Sequence, residues 1–283
     1  MEKINIAFFG TPDVASKTLE ILKTNGYIPS IIITSPDRLS GRGMHLTQTP
    51  VNIWAEENNI PCLKPEKING EFIEEFNKLN IDLSIVVAYG KILPENLINI
   101  PRLGTINIHY SLLPKYRGAS PVESALLSGD KVTGVSIQQM AFKLDSGPII
   151  AEEKVPISID DNKTGLREKL INTGAQLLSK TLPSIIKQEI NPKTQDESQA
   201  TYCGKIKKED GEIDINGNAE ENYNKYRAFS GWPGVYFFIN KNGRQTRIKI
   251  TQAKYKDNSF IIERVVVEGK KETDYSEFLK SNI

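Results

Sequence analysis

Three strand-length runs, Ile4–Phe9, Ile28–Thr34 and Asp82–Ala88, are apolar almost throughout and rich in β-branched residues. Between the first two, Val14, Leu19, Ile21 and Leu22 fall on a helical spacing over Pro12–Thr24, with Pro12 near the first turn. A strand that is apolar along its whole length has to be covered on both faces. Such strands, alternating with helices, build an α/β fold around a mostly parallel sheet. Ligands of these sheets sit at the carboxyl ends of the strands. The segments to inspect are therefore Gly10-Thr11-Pro12, Ala88-Tyr89-Gly90 and whatever follows Asn107.

Further along, Gly104–His109 reads as a strand and Pro121–Leu127 as a helix opened by Ser120-Pro121. Val132–Met140 and Pro148–Ile157 read as strands. Gly165–Ile190 is the longest helical pattern and is expected to be interrupted at Pro183. The polar run Asn191–Gln199 has no apolar periodicity and reads as a connector between domains. Beyond it the texture changes, with a helix over Ala219–Phe229 and β-rich runs at Val235–Ile239, Arg247–Lys254 and Phe260–Val267. Asn240–Gly243 suits a hairpin turn between the first two of these runs. The expected organisation is a first domain over 1–188, a linker over 189–203 and a small, mainly β domain over 204–283. A length of 283 residues agrees, at roughly 150 per domain.

Charge excludes an indiscriminate polyanion binder, because 36 basic residues face 35 acidic ones for a net of +1. The sum hides a slope: residues 203–283 carry 15 basic and 12 acidic groups, and residues 1–202 carry 21 and 23. Cys62 and Cys203 form no CxxC or other metal-ligand spacing, so no metal is expected and a reducing compartment is. The first apolar run is too short for a secretory signal, and no uncharged apolar stretch approaches the 18 residues of a membrane span. The expectation is a cytoplasmic protein without a membrane segment.

Histidine occurs twice, at His45 and His109. Asn107 precedes His109 by two residues, so both side chains share one face of the strand. An amide and an imidazole at the carboxyl edge of a sheet suit the wall of a polar pocket. They suit a structural pair bonded to loop backbone equally well. Downstream, Leu144-Asp145-Ser146-Gly147 sets a carboxylate in a turn, where by itself it is an ordinary turn aspartate. Brought beside His109, it would complete a set: an imidazole to move a proton, a carboxylate to orient it and an amide for developing negative charge. GxSxG is absent and no cysteine or serine stands in a nucleophile elbow, so direct attack of one substrate on another fits better than covalent catalysis. Gly10-Thr11-Pro12 has neither GxGxxG nor a Walker lysine. The long Gly-rich loop Ser35–Met44 carries Arg38 and Arg42, and Lys115-Tyr116-Arg117-Gly118 forms a second basic cluster. Lys205, Lys207, Lys208, Arg244 and Arg247 are spaced like a surface that tracks an anionic backbone, a spacing that solvated faces share.

The run Asn107-Ile-His109-Tyr-Ser-Leu-Leu-Pro114-Lys-Tyr-Arg-Gly-Ala-Ser-Pro121, followed by Leu144-Asp-Ser-Gly147, resembles the signature of the folate-dependent formyltransferases. Phe9-Gly-Thr-Pro12, Pro36–Gly43, Val87-Ala-Tyr-Gly90 and Phe229-Ser-Gly-Trp-Pro233 extend the likeness to the branch that formylates methionyl-tRNA. The resemblance implies a Rossmann-like, mostly parallel sheet domain followed by a β-barrel-like C-terminal domain that binds tRNA. It implies formyl transfer from 10-formyltetrahydrofolate, a co-substrate, to the amine of initiator methionyl-tRNA, with no obligate protein partner. By motif match, Asn107, His109 and Asp145 take the catalytic positions. Ser111, Leu112, Leu113 and Pro114 take the folate loop, and Val87, Ala88, Tyr89 and Gly90 the neighbouring pocket wall. Arg42, with Arg38, falls on the family's acceptor-stem loop, and the cations Lys205, Lys207, Arg244 and Arg247 are assigned to tRNA. Three departures stand out. Tyr110 replaces a smaller residue, Met44 and His45 stand where lysines are usual, and the C-terminal domain is short by about two strands of sequence. Two other readings accommodate the same residues: a formyltransferase of nucleotide-linked amino sugars, and a tRNA-binding module without catalysis.

Overall fold

The computed structural model describes residues 4–40, 44–241 and 243–282. These fall into two compact units: residues 1–117, 134–155 and 169–201 in the first, and residues 118–133, 156–168 and 202–283 in the second.

The first unit is built on a seven-stranded sheet in the order β10-β9-β7-β6-β1-β2-β5. Its strands are β1 (Ile6–Gly10), β2 (Ile31–Ile33), β5 (Cys62–Leu63), β6 (Leu83–Val87), β7 (Thr105–His109), β9 (Val132–Gln139) and β10 (Ile149–Pro156). The β5-β2-β1-β6-β7 ladder is parallel throughout, and β9 joins β7 antiparallel. Every residue of β1 and β6 is buried, which is why neither alternates apolar with polar. A hairpin, β3 (Arg38–Ser40) and β4 (His45–Thr47), pairs Leu39 with Leu46 in the long loop after β2.

Helices cover the sheet for local reasons that can be named. The helix α1 (Asp13–Thr24) buries Val14, Leu19 and Leu22, as its spacing predicts. Thr49 Oγ1 accepts the Asn52 N–H and Pro50 occupies the first turn, starting α2 (Pro50–Glu57). Asn69 caps α3 (Gly70–Asn77), whose Phe72 and Phe76, one turn apart, enter the core against Phe9. A single turn, α4 (Glu95–Ile98), adds Leu97 and Ile98 to the same cluster.

The helix α6 (Lys163–Ile186) continues past Pro183, against the expected interruption. Proline removes one hydrogen bond and costs about 3 kcal/mol inside a helix. Here Leu166, Leu170, Leu178, Leu182 and Ile185 keep one buried face across that point, which offsets the loss. No helix among the described residues is long and apolar enough to cross a membrane.

Two-residue strands, β8 (Arg117–Gly118) and β11 (Tyr202–Cys203), lie where the chain passes from one unit to the other. The second unit holds α5 (Pro121–Leu127), α7 (Ala219–Ala228) and an antiparallel sheet β12-β13-β14-β15. Its strands are Val235–Lys241, Arg244–Lys256, Ser259–Val267 and Glu272–Asp274, followed by α8 (Tyr275–Asn282). Tyr223 and Tyr226 of α7 lie against Phe260 of β14, and Tyr223 also stacks on Tyr255 of β13. Among the described residues the four strands form an open sheet and not a closed barrel. On the β12 side the edge is met by Glu212, which bridges Tyr236, and the other edge is β15.

Candidate active site

The loops that leave the carboxyl ends of the parallel strands meet in the first unit. Thr11 Oγ1, just past β1, donates to the Tyr89 carbonyl (3.0 Å) and lies 3.1 Å from Ser35 Oγ past β2. The rim made by Val87–Gly90 presents main chain more than side chains. Val87 is buried, Ala88 and Gly90 are exposed with φ of +47° and +80°, and the Tyr89 ring turns into the core against Phe9. Burial pushes the Tyr89 hydroxyl up to about 12.

On β7, Asn107 is half-buried and His109 buried. His109 Nε2 lies 2.9 Å from the Tyr116 carbonyl. A carbonyl only accepts, so Nε2 carries the hydrogen and Nδ1 is the nitrogen left for chemistry. Tyr116 presents that carbonyl from a φ of +57°. Nδ1 faces Asp145 Oδ2 at 3.7 Å, and the other carboxylate oxygen, Oδ1, accepts from Gln138 Nε2 at 2.9 Å. Gln138 stands directly opposite Asn107 in the antiparallel β7–β9 register, so the sheet itself gathers amide, imidazole and carboxylate. Asp145 sits at φ +46°, a conformation that costs of order 1–3 kcal/mol and persists only where the surroundings hold it.

The Ser111–Pro114 loop is held from β9. Ser136 Oγ accepts the Leu113 N–H (3.0 Å) and lies 2.8 Å from both the Ser111 carbonyl and Glu152 Oε1. Ser111 is buried and donates to the Lys115 carbonyl. Leu112 closes over Gly134, where a Cβ would overlap its side chain.

Arg117 departs from the expected basic cluster. It is fully buried, and its guanidinium donates to Gln195 Oε1 (2.7 and 3.1 Å) and to Glu197 Oε1 (2.7 Å), which withdraws it from any anion-binding surface. Glu197 also accepts from Lys143 (2.6 Å), two residues before Asp145. Hydrogen bonds from Arg117 and Lys143 hold the Glu197 carboxyl at about 2, well below the usual carboxylate range. A carboxylate depressed in the folded state contributes stability above its unfolded value, and that contribution is lost as pH falls through the folded value. The difference in unfolding midpoint between the parent and Glu197→Gln is therefore expected to be constant above about pH 5 and to vanish towards about pH 2. Acid titration of both proteins, followed by circular dichroism, checks this, and a difference that grows on acidification contradicts it.

Of the cations singled out in the sequence, Arg38 is exposed on β3, and Lys205 and Lys207 are exposed in the second unit. Arg244 opens β13 opposite Lys241, and the Arg247 guanidinium lies over the Tyr236 ring at 3.8 Å. Arg42 lies outside the described residues. Gln138, Gln195 and the Tyr116 carbonyl were missed by sequence reasoning. Only Gln138 left a signal there, as a polar residue opposite Asn107 once the two strands are paired.

The sequence profile of the family described as formyl transferase matches residues 3–182, and that of the formyl transferase C-terminal domain matches residues 205–264. A methionyl-tRNA formyltransferase of Sulfurihydrogenibium sp. is 45% identical over 253 residues, covering 89% of this chain and 80% of its own length. One from Dictyoglomus turgidum is 40% identical, covering 95% of this chain and 85% of its own length. Among solved structures, methionyl-tRNA formyltransferase from Clostridium thermocellum superposes with a TM-score of 0.61 at 17% identity, covering 94% of this chain and 99% of that one. The N-formyltransferase from Helicobacter canadensis, solved with folinic acid and dTDP-3-aminofucose, has the same fold at a TM-score of 0.65 and 20% identity, over 92% of this chain and 95% of its own. On this evidence of sequence, matched along nearly its whole length, the chain belongs to the formyl transferase family and groups there with the methionyl-tRNA formyltransferases.

Proposed function

We propose that the chain transfers the formyl group of 10-formyltetrahydrofolate to the α-amine of initiator methionyl-tRNA, in the cytoplasm, for translation initiation. The observation that carries this reading is the likeness, at 40–45% identity over most of the chain, to methionyl-tRNA formyltransferases. The N-formyltransferase from Helicobacter canadensis, at 20% identity, shares the fold.

The chemistry needs no covalent enzyme intermediate. An α-amine with a pKa of about 8 is partly neutral at pH 7 and already nucleophilic. Its nitrogen attacks the formyl carbon, a C–N bond forms and the carbonyl electrons move to oxygen. Asn107 supplies a hydrogen-bond donor to that oxyanion, and His109 presents Nδ1 beside Asp145. The ammonium proton passes to the His109–Asp145 pair, and collapse of the oxyanion breaks the bond to the folate N10, which takes a proton as tetrahydrofolate leaves. Ser111–Pro114 and the Val87–Gly90 rim hold the folate. Contacts to tRNA phosphates fall to Arg38 and Arg42 in the first unit and to Lys205, Lys207, Arg244 and Arg247 in the second.

The test is a turnover assay with 10-formyltetrahydrofolate and three acceptors: charged initiator tRNA, charged elongator tRNA and a nucleotide-linked amino sugar. Formylation of the initiator species well above the other two is expected. Preference for the sugar amine, or no turnover with any acceptor, rejects the reading.

A further inference from the structure

Gln195 lies in the polar run 191–199, yet it is buried and its amide is fully used. Nε2 donates to the carbonyl oxygens of Asp145 (2.9 Å) and Gly147 (2.7 Å), while Oε1 takes both hydrogen bonds from Arg117. An amide has two hydrogens and two lone pairs, so all four places are filled. The same segment reaches the Asp145 turn again through Glu197 and Lys143. Its main chain is anchored where Lys193 and Ile149 exchange both hydrogen bonds, at 2.7 and 2.8 Å. These contacts fall on main chain and on Lys143, not on the Asp145 carboxylate. The turn is held at residues 143, 145 and 147 while the carboxylate stays directed at His109.

We propose that Gln195 is a positioning residue for formyl transfer, holding the Asp145 main chain so that its carboxylate faces His109 Nδ1. This rests on the reading of Asp145 as a reacting group. The alternative is that Gln195 serves only to satisfy the buried Arg117, and glutamate at 195 separates the two roles. A glutamate pairs with Arg117 at least as well, but it has no hydrogen for the carbonyls of Asp145 and Gly147 and repels them.

The experiment compares steady-state formylation of methionyl-tRNA by the parent, Q195E, D145A and the double variant. Q195E is expected to lower kcat about 10²-fold, the size of loss that follows misplacement of a reacting group by about 1 Å. KM for either substrate is expected to move less than about threefold, and Q195E to change kcat less than about threefold when added to D145A, because the group it aims is gone. Parental kcat in Q195E overturns the proposal, as does a loss that multiplies undiminished on top of D145A. If D145A itself keeps parental kcat, the reading of the site fails and the proposal with it. An impaired D145A beside a parental Q195E overturns the positioning role alone. Should Q195E not fold, Gln195→Met is compared with Arg117→Met, which removes the guanidinium and leaves the Gln195 donors to Asp145 and Gly147 in place. A loss of about 10²-fold in kcat for the first beside a change within about threefold for the second supports the proposal, and equal losses overturn it.

Discussion

Turnover of Asn107→Ala is expected to fall by about 10²–10³ with the protein still folded, the cost of removing one donor from a developing oxyanion. Asn107 stands at the half-buried position of an otherwise buried strand, so truncating it opens little core. The loss should appear in kcat with KM for folate and tRNA near parental, because the donor meets an oxyanion that exists only in the transition state. A comparable fall is expected for Asp145, where the choice of substitution matters. Alanine at φ +46° adds conformational strain of about 1–2 kcal/mol, whereas asparagine tolerates that region and keeps the volume. Asp145→Asn therefore isolates the charge, and a drop of the same order is expected from it. Formylation within a few-fold of the parent by Asn107→Ala or Asp145→Asn rejects the assignment of these residues.

The second large effect is on stability. A Cβ at Gly147 would sit well inside van der Waals contact of the Gln139 carbonyl oxygen and also press on its carbon. Both are main-chain atoms of a residue whose own N–H donates to the Pro148 carbonyl (2.9 Å), so no side chain can swing aside. The β9–β10 connection has to open for the methyl group to fit. Gly147→Ala is expected to lose at least about 3 kcal/mol of unfolding free energy, in the tail of single-substitution effects that backbone clashes produce. Activity should fall with it, since Asp145 is two residues away and Gln195 holds both. Urea unfolding checks the number, and a midpoint matching the parent shows that the turn has room for a methyl group.

Much of the first unit was legible because its signals are periodic. β1, β2 and β6 fall on apolar runs, β7 on an alternating one, and α1 starts after the proline where the sequence places it. Asn107 and His109 could be paired on one face from their spacing alone. Asp145 could be noticed but not placed, since a turn aspartate is ordinary until the chain returns it to His109. Pro183 misled because a local rule about proline competes with a buried face that extends on both sides of it. Gln195 and Arg117 were opaque for a different reason. One sits in a polar run and the other in a basic one, and only long-range folding turns those compositions into a buried pair. Such residues leave no period to read.

The unpaired margin of the second unit's sheet also has a bearing on how this protein behaves in a crowded solution. β15 is three residues long and carries Glu272 and Asp274, both bonded to Arg264 on the neighbouring strand. A strand from another molecule arriving there would find a short row of amides flanked by carboxylates, with α8 following at once. An open sheet in place of a closed one exposes a template for fibrous growth, and this acidic, abbreviated border makes it a poor one.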